Sequence, residues 1–257
     1  MLLTIDVGNT QIALGMFDKE NLIGHWRVST DATATLDEIR WQMTGILGAD
    51  GFHQEDILGV AISSVVPAVT TNLRRIAPFI TAGPSIVVEP GVRTGMAIEI
   101  DNPREVGADR IVNSVAAQQR HGTPVVVVDF GTSTNFDVVG PNGAYLGGVI
   151  APGLEIATNA LVSGTAALRR VEFAPPRSVI GKGTVEAIQS GAVFGHAGMV
   201  DGILERIAAE IGQDTTRIAT GGLASTIVPH CKSVDTIDQY LTLEGLRIIF
   251  DRNQDPE

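Results

Sequence analysis

The stretch whose reading decides the fold is LLTIDVGNTQIALG, residues 2–15. A near-continuous apolar run, Leu2 to Ile5, reads as a buried strand and leads straight into Asp6; Gly8, Asn9 and Thr10 then make a turn before a second apolar run begins. IALGMFD (12–18) and LIGHWRVST (22–30) continue it as a meander of three strands, with a polar turn at residues 19–21. A carboxylate at the exit of a buried strand needs a reason, and the same form recurs. VVVVDFGTST (125–134) is again an aliphatic strand, then Asp, one residue, Gly and small hydroxyl-bearing residues, and FDVVGPNGAYLGG continues as a hairpin turning on Pro-Asn-Gly. The two aspartates, Asp6 and Asp129, lie 123 residues apart, close to half of the 257-residue chain.

A repeat of that period is a whole domain rather than a solenoid unit. The expected architecture is therefore α/β: two similar domains, 1–117 and 118–257, facing a central cleft, with the C-terminal helix free to pack back on the first. Between the strand signals, residues 35–48 carry Leu36, Ile39, Met43, Ile46 and Leu47 at helical spacing. GVAISSVVP (59–67) reads as a buried strand, Val69 to Ile76 as a helix, 85–88 as a short strand and GADRIVNSVAAQQR (107–120) as a helix.

Composition narrows the function classes. With 44% hydrophobic and 18% charged residues the chain has the profile of a soluble globular protein. Its net charge of −11 sets up a field that repels nucleic acid and anionic lipid, so neither is expected as a partner. Cys231 is the sole cysteine, which excludes an intrachain disulfide and a thiolate zinc cluster and suits a cytoplasmic location. No basic n-region precedes the first apolar run, which Asp6 interrupts, and PVVVVDF (124–130) is strand-sized, so neither a signal peptide nor a membrane span is expected.

Several constellations could carry chemistry, and each also has a plain structural reading. In the two Asp-x-Gly loops (Asp6, Gly8, Asn9, Thr10 and Asp129, Gly131, Thr132, Thr134), glycine lets backbone N–H groups approach a phosphate. Hydroxyls and amides add donors, and a carboxylate holds a cation or its water. The plain alternative is an ordinary hairpin turn; the repetition favours the ligand. Gly107, Ala108, Asp109 and Arg110 read two ways: a capped, solvated helix start, or a proton acceptor and a guanidinium serving phosphoryl transfer. GKGT (181–184) is not a Walker A loop, since Pro176 stands where that signature needs glycine. It starts a long helix with Thr184 as N-cap, either a plain cap or one that also meets a ligand. On that helix Gly191, Gly195, Gly198 and Gly202 share one face, which predicts close approach of another helix, within the chain or across a dimer. TGGLA (220–224) is a glycine turn, with Gly221 and Gly222 either simply turning the chain or passing near an adenine. The five histidines show no ligand spacing, and no G-x-S-x-G elbow supports a hydrolase.

With DVGNT, GADR, DFGTST and TGG in this order, joined by LGGVIAPG (146–153), GKGTVEAIQSG (181–191) and YLTLEGLRIIF (240–250), the sequence resembles nearly end to end the type III pantothenate kinases. These belong to the acetate and sugar kinase, Hsp70 and actin superfamily, whose domains are ribonuclease H-like. The resemblance implies ATP-dependent phosphorylation of pantothenate to 4'-phosphopantothenate, the first step of coenzyme A biosynthesis. It also implies that Asp6, Val7, Gly8, Asn9, Thr10, Gln11, Ile12 and Ala13, with Thr132, hold the ATP phosphates. Asp129 would bind a monovalent cation, K⁺ or NH₄⁺, with Mg²⁺ travelling on the nucleotide. Gly107, Ala108, Asp109 and Arg110 would line the pantothenate pocket, with Asp109 the catalytic proton acceptor and Thr184 a substrate contact, in a homodimer. Many members carry tyrosine just before the Asp-Asn-Pro segment where this chain has Ile100, which alters one pocket wall. The alternatives are a same-fold kinase of another small alcohol or acid, and a non-catalytic nucleotide-binding accessory factor.

Overall fold

In a computed structural model, which describes residues 1–165 and 168–254, the chain divides into two units. One comprises residues 1–96, 101–116 and the segment from Leu241 onward, the other 97–100 and 117–240. The first opens with the expected meander, β1 (Leu2–Val7), β2 (Gln11–Asp18) and β3 (Asn21–Ser29), all antiparallel neighbours. Helix α1 (Leu36–Ala49) follows, started by a capping box in which Thr35 and Glu38 satisfy each other's backbone N–H groups. β4 (Gly59–Ser64) returns parallel to β1, as a crossover through a helix requires. Next come α2 (Pro67–Ile80), with proline in its first turn, the short parallel β5 (Ser85–Val87) and α3 (Ala108–His121).

The second unit repeats this plan. β6 (Val125–Phe130), β7 (Ser133–Val139) and β8 (Tyr145–Pro152) form the meander, and α4 (Leu154–Ser163) and the 28-residue α5 (Thr184–Ile211) follow. β9 (Thr216–Thr220) lies parallel to β6; the four-residue α6 (Ala224–Ile227) and β10 (Thr236–Ile237) complete the unit, and α7 (Leu241–Arg252) belongs to the first. The sheet orders are β3-β2-β1-β4-β5 and β8-β7-β6-β9-β10, so the two sheets have one topology. The sequence repeat is thus a repeat of architecture, and β1 and β6 hold the same central place. The Pro141-Asn142-Gly143 turn between β7 and β8 forms as expected: Gly143 has φ +80°, and Gly140 and Ala144 are bonded across it at 2.8 Å.

Both central strands are buried at every residue but the fifth, which is Asp6 in one and Asp129 in the other. In β1, alternation sends Leu3, Ile5 and Val7 into a core with Ile39 and Met43 of α1 and Leu73 and Ile76 of α2. Thr4 faces the other way, toward α7, whose Leu243 would touch any side chain placed at Gly15 beside Thr4. In the second unit Val126, Val128 and Phe130 pack on Val193, Ala197, Val200 and Leu204 of α5. The glycine face of α5 corrects the expectation of a covering helix within the chain. Among the described residues nothing lies within 4 Å of a Cβ built at Gly191, Gly195 or Gly198. The buried face of α5 is the opposite, branched one, because aliphatic bulk on a helix gains most from burial.

Helix α7 joins the first unit by close backbone packing. A Cβ at Gly245 would run into the carbonyl oxygen of Val112 on α3, while Thr242 Oγ1 donates to Asn113 Oδ1 at 2.7 Å. Since backbone cannot yield as a flexible side chain does, Gly245→Ala is expected to destabilise the fold by about 1–3 kcal/mol. A melt followed by circular dichroism checks this; an unchanged midpoint would refute the close packing.

Candidate active site

The first Asp-x-Gly loop is a tight turn. Gly8 N–H donates to the Gln11 carbonyl at 2.9 Å, and Thr30 clamps it from just beyond the end of β3, its hydroxyl donating to Gly8 O at 2.7 Å and its N–H to Thr10 O at 2.9 Å. Asn9, Thr10 and Gln11 are exposed, Asp6, Gly8 and Ala13 half-buried, and Val7 and Ile12 belong to the core. Those last two therefore have only backbone to offer a ligand.

The second loop, one residue shorter, also closes on a glycine N–H. Asp129 is half-buried and paired between Asn135 and Thr220, Gly131 N–H donates to Ser133 O at 3.0 Å, and Gly131 and Thr132 are exposed. Two glycines press on it. A Cβ at Gly153, the N-cap of α4, would strike the Thr132 carbonyl, and one at Gly221 (φ +91°) would lie 2.5 Å from Asp129 Oδ1. The glycine at the TGG turn thus has a steric reason in the approach of Asp129. Around Asp129 the available donors are its carboxylate, backbone carbonyls and hydroxyls, a hard oxygen set that suits an alkali cation. Among the described residues no three His, Cys, Asp or Glu groups cluster to hold a metal ion.

Gly107 to Arg110 start α3. Gly107 O accepts from Arg110 N at 3.2 Å, so the cap lies at Gly107, and Asp109 sits inside the first turn, its Oδ1 accepting from Arg110 N at 2.9 Å. This first turn adjoins the first loop. A Cβ at Gly107 would lie 3.7 Å from Val65 Cγ1, and Val65 N–H donates to the carbonyl of Val7 at 3.0 Å. Asp109 is half-buried, and burial raises its pKa above the ordinary 3.8 against the opposing pull of the Arg110 N–H and guanidinium. Such a carboxylate is a better proton acceptor than a solvated one.

Thr184 corrects one expectation: the N-cap of α5 is Gly183, with φ −143° and ψ 161°, and Thr184 is the first helical residue. The displacement follows from Gly181, which packs so closely on the backbone of Glu186 and Ala187 that the chain enters the helix one residue earlier. Glu186 anchors the approach, accepting from Arg177 Nε at 2.6 Å and Lys182 N–H at 3.4 Å, and Ser190 Oγ donates to Val179 O at 2.6 Å. Thr184 faces a cavity of about 870 Å³ between α4 and α5, together with Thr158, Lys182, Gly191, Gly195 and His196. Sequence reasoning passed over His196, for which no spacing signal exists; it is 7% exposed and bonded to Thr134. Ile100 lies against β8, 3.5 Å from a Cβ at Gly147.

A family profile described as type III pantothenate kinase matches residues 2–206. Two relatives bearing that name are similar over almost the whole chain. One, from Acidothermus cellulolyticus, is 53% identical and covers 98% of this chain and 99% of its own; one from a Parafrankia species is 51% identical over 100% of both. Among solved structures, component A of (R)-2-hydroxyglutaryl-CoA dehydratase from Acidaminococcus fermentans aligns with a TM-score of 0.60 at 14% identity, over 99% of both chains. That likeness bears on the fold, which is the actin-like ATPase fold shared with sugar kinases. No described helix is long and apolar enough to cross a membrane.

The raised pKa of Asp109 has a consequence for stability. A carboxyl that holds its proton more tightly when folded costs nothing below its ordinary pKa of 3.8; the cost grows as pH rises through the shifted value and is complete above it. Asp109→Asn keeps the acceptor for Arg110 N–H and removes the charge. It is expected to melt higher than wild type at about pH 7, with the gap closing near about pH 4; a lower melting point at neutral pH would refute the burial argument.

Proposed function

The chain belongs to the type III pantothenate kinase family, and from that premise we propose how its residues transfer a phosphoryl group from ATP to pantothenate. The product is 4'-phosphopantothenate, which enters coenzyme A biosynthesis. The observation that carries the assignment of residues is the seat of Asp109. A carboxylate with a raised pKa lies at the start of α3, and one side chain, Val65, links that turn to the loop after β1.

In this reading the backbone N–H groups of residues 6–13, with the Asn9 amide and Thr10 hydroxyl, and Thr132 from the second loop hold the ATP phosphates. Val7 and Ile12 contribute through backbone alone, since their side chains are core. Phosphoryl transfer runs through a loose transition state whose charge spreads over the equatorial oxygens, so fixed donors stabilise it by position. Arg110 steadies that charge. Asp109 accepts the proton of the primary hydroxyl of pantothenate as its oxygen attacks phosphorus and ADP leaves. Gly107 and Ala108 present backbone to the substrate, and Thr184 adds a hydroxyl from the first turn of α5. When bound, Mg²⁺ on the nucleotide and a monovalent cation, K⁺ or NH₄⁺, neutralise phosphate charge. Asp129, half-buried at its strand exit with oxygen donors around it, is the residue that would hold the monovalent ion. The enzyme works in the cytoplasm as a homodimer. The open glycine face of α5, with the exposed Leu161 lining the same cavity as Gly191 and Gly195, supports the dimer.

ADP release measured with and without pantothenate tests the reading: release is expected to depend on pantothenate. Turnover only with other small alcohols would transfer the site to a different kinase of this fold. Asp109→Asn is expected to lose about 10²–10⁴-fold in kcat while still binding ATP; near-normal turnover would remove Asp109 from its role. Rates in K⁺ or NH₄⁺ are expected to exceed those in Na⁺ alone, and equal rates would argue against a cation at Asp129.

A further inference from the structure

His196 is the one ionisable side chain on the buried face of α5, among Ser190, Val193, Ala197, Val200 and Leu204. Its Nε2 lies 2.9 Å from the hydroxyl of Thr134, which is 1% exposed. Thr134 pairs with Phe130 across the second loop and so closes the turn that contains Gly131 and Thr132. The ring also stands 6.1 Å from that of Phe130 and lines the cavity where Thr184 lies. Backbone bonds also hold the loop, Gly131 N–H to Ser133 O at 3.0 Å, Leu223 N–H to Phe130 O at 3.3 Å and the ladder from Ser133 and Thr134 to Pro152 and Ala151, and Ser133 Oγ donates to Asn135 Oδ1 at 2.9 Å. His196 supplies the side-chain hold on Thr134 from the helix.

We propose that His196 is a positioning residue for phosphoryl transfer, fixing Thr134 and with it the Gly131–Thr132 loop in the conformation that holds the nucleotide's phosphates. This rests on Thr132 being a phosphate ligand. Two physical facts support it. A buried hydroxyl must find a partner, so deleting the imidazole obliges Thr134 to turn or to remain unsatisfied two residues from Thr132. Burial also keeps the imidazole pKa below its ordinary 6.5, so the ring at neutral pH is uncharged and can complete the bond in either tautomer. An aliphatic residue would fill this helix face equally well were packing the only demand, since its neighbours there are aliphatic or small. The orientation of the effect follows: His196 acts on the nucleotide side of the reaction through Thr134, although its ring borders the cavity that Thr184 faces.

The experiment is a steady-state comparison of wild type, His196→Leu, His196→Gln, Thr134→Val and the His196→Leu/Thr134→Val double variant, each substrate being varied in turn. His196→Leu is expected to lose about tenfold in kcat/KM for ATP, the scale of one buried hydroxyl left without its partner, while KM for pantothenate stays within about twofold. Thr134→Val is expected to show the same loss and the double variant no more than either single one, because both remove one bond. His196→Gln, whose amide nitrogen reaches where Nε2 was, is expected to recover most of the loss. Wild-type kinetic constants in His196→Leu, additive losses in the double variant, or a defect confined to KM for pantothenate would each overturn the proposal. If His196→Leu does not fold, His196→Asn replaces it, being polar yet too short to reach Thr134, with the same expected and overturning results. Failure of the phosphate assignment itself is separable: Thr132→Val would then leave KM for ATP unchanged in an otherwise normal wild-type background.

Discussion

The rest of the structure depends on burying one strand in the centre of each sheet. β1 has neighbours on both edges and is buried at five of its six residues, and β6 has the same. A strand so enclosed makes its only partly open position at the end, where the ladder gives way to a turn. In both units that position is an aspartate, and in both the turn closes on a glycine N–H. The polar atoms of the site therefore sit where the core stops, at the carboxyl ends of central strands, which is where open α/β sheets admit ligands.

Around that constraint the neighbouring parts arrange themselves by close approach. Glycine stands wherever backbone must come within van der Waals contact of something rigid: Gly245 against the carbonyl of Val112, Gly153 against that of Thr132, Gly221 against Asp129. Each of these contacts fixes how closely two parts of the chain approach, the first joining α7 to α3 and the other two bounding the second Asp-x-Gly loop. The positioning of Asp109 is of the same kind. Its carboxylate is anchored by the N–H of Arg110, and the turn that carries it is held beside β4 by Val65.

Much of this was legible in the sequence because the signals were periodic or repeated. The three-strand meanders, α1 with its apolar residues at helical spacing, the Pro141-Asn142-Gly143 turn and the long helix after Gly183 each follow from local chemistry. The register of Thr184 was misread by one residue, since a threonine before a helix is a favourable cap and only the packing of Gly181 on the first turn gives the place to Gly183. For the glycine face of α5 the sequence left open a partner within the chain or across a dimer, and among the described residues the first has no helix against Gly191, Gly195 or Gly198, because glycine spacing says nothing about what stands opposite. Helix α4 left no trace of its own, as LEIATNALVS continues the apolar character of the strand before it.

By itself the sequence determined the two-fold repeat, the strand-Asp-turn units, the α/β class and the family, all properties of residues close in the chain or of motifs in order. Tertiary structure alone decided the raised pKa of Asp109, the meeting of Gly107 with Val65, and the bond between His196 and Thr134, 62 residues away. The physical reason is that desolvation and hydrogen bonding across elements depend on what packs against a residue. Periodicity fixes which way a side chain points, and the fold fixes what it meets.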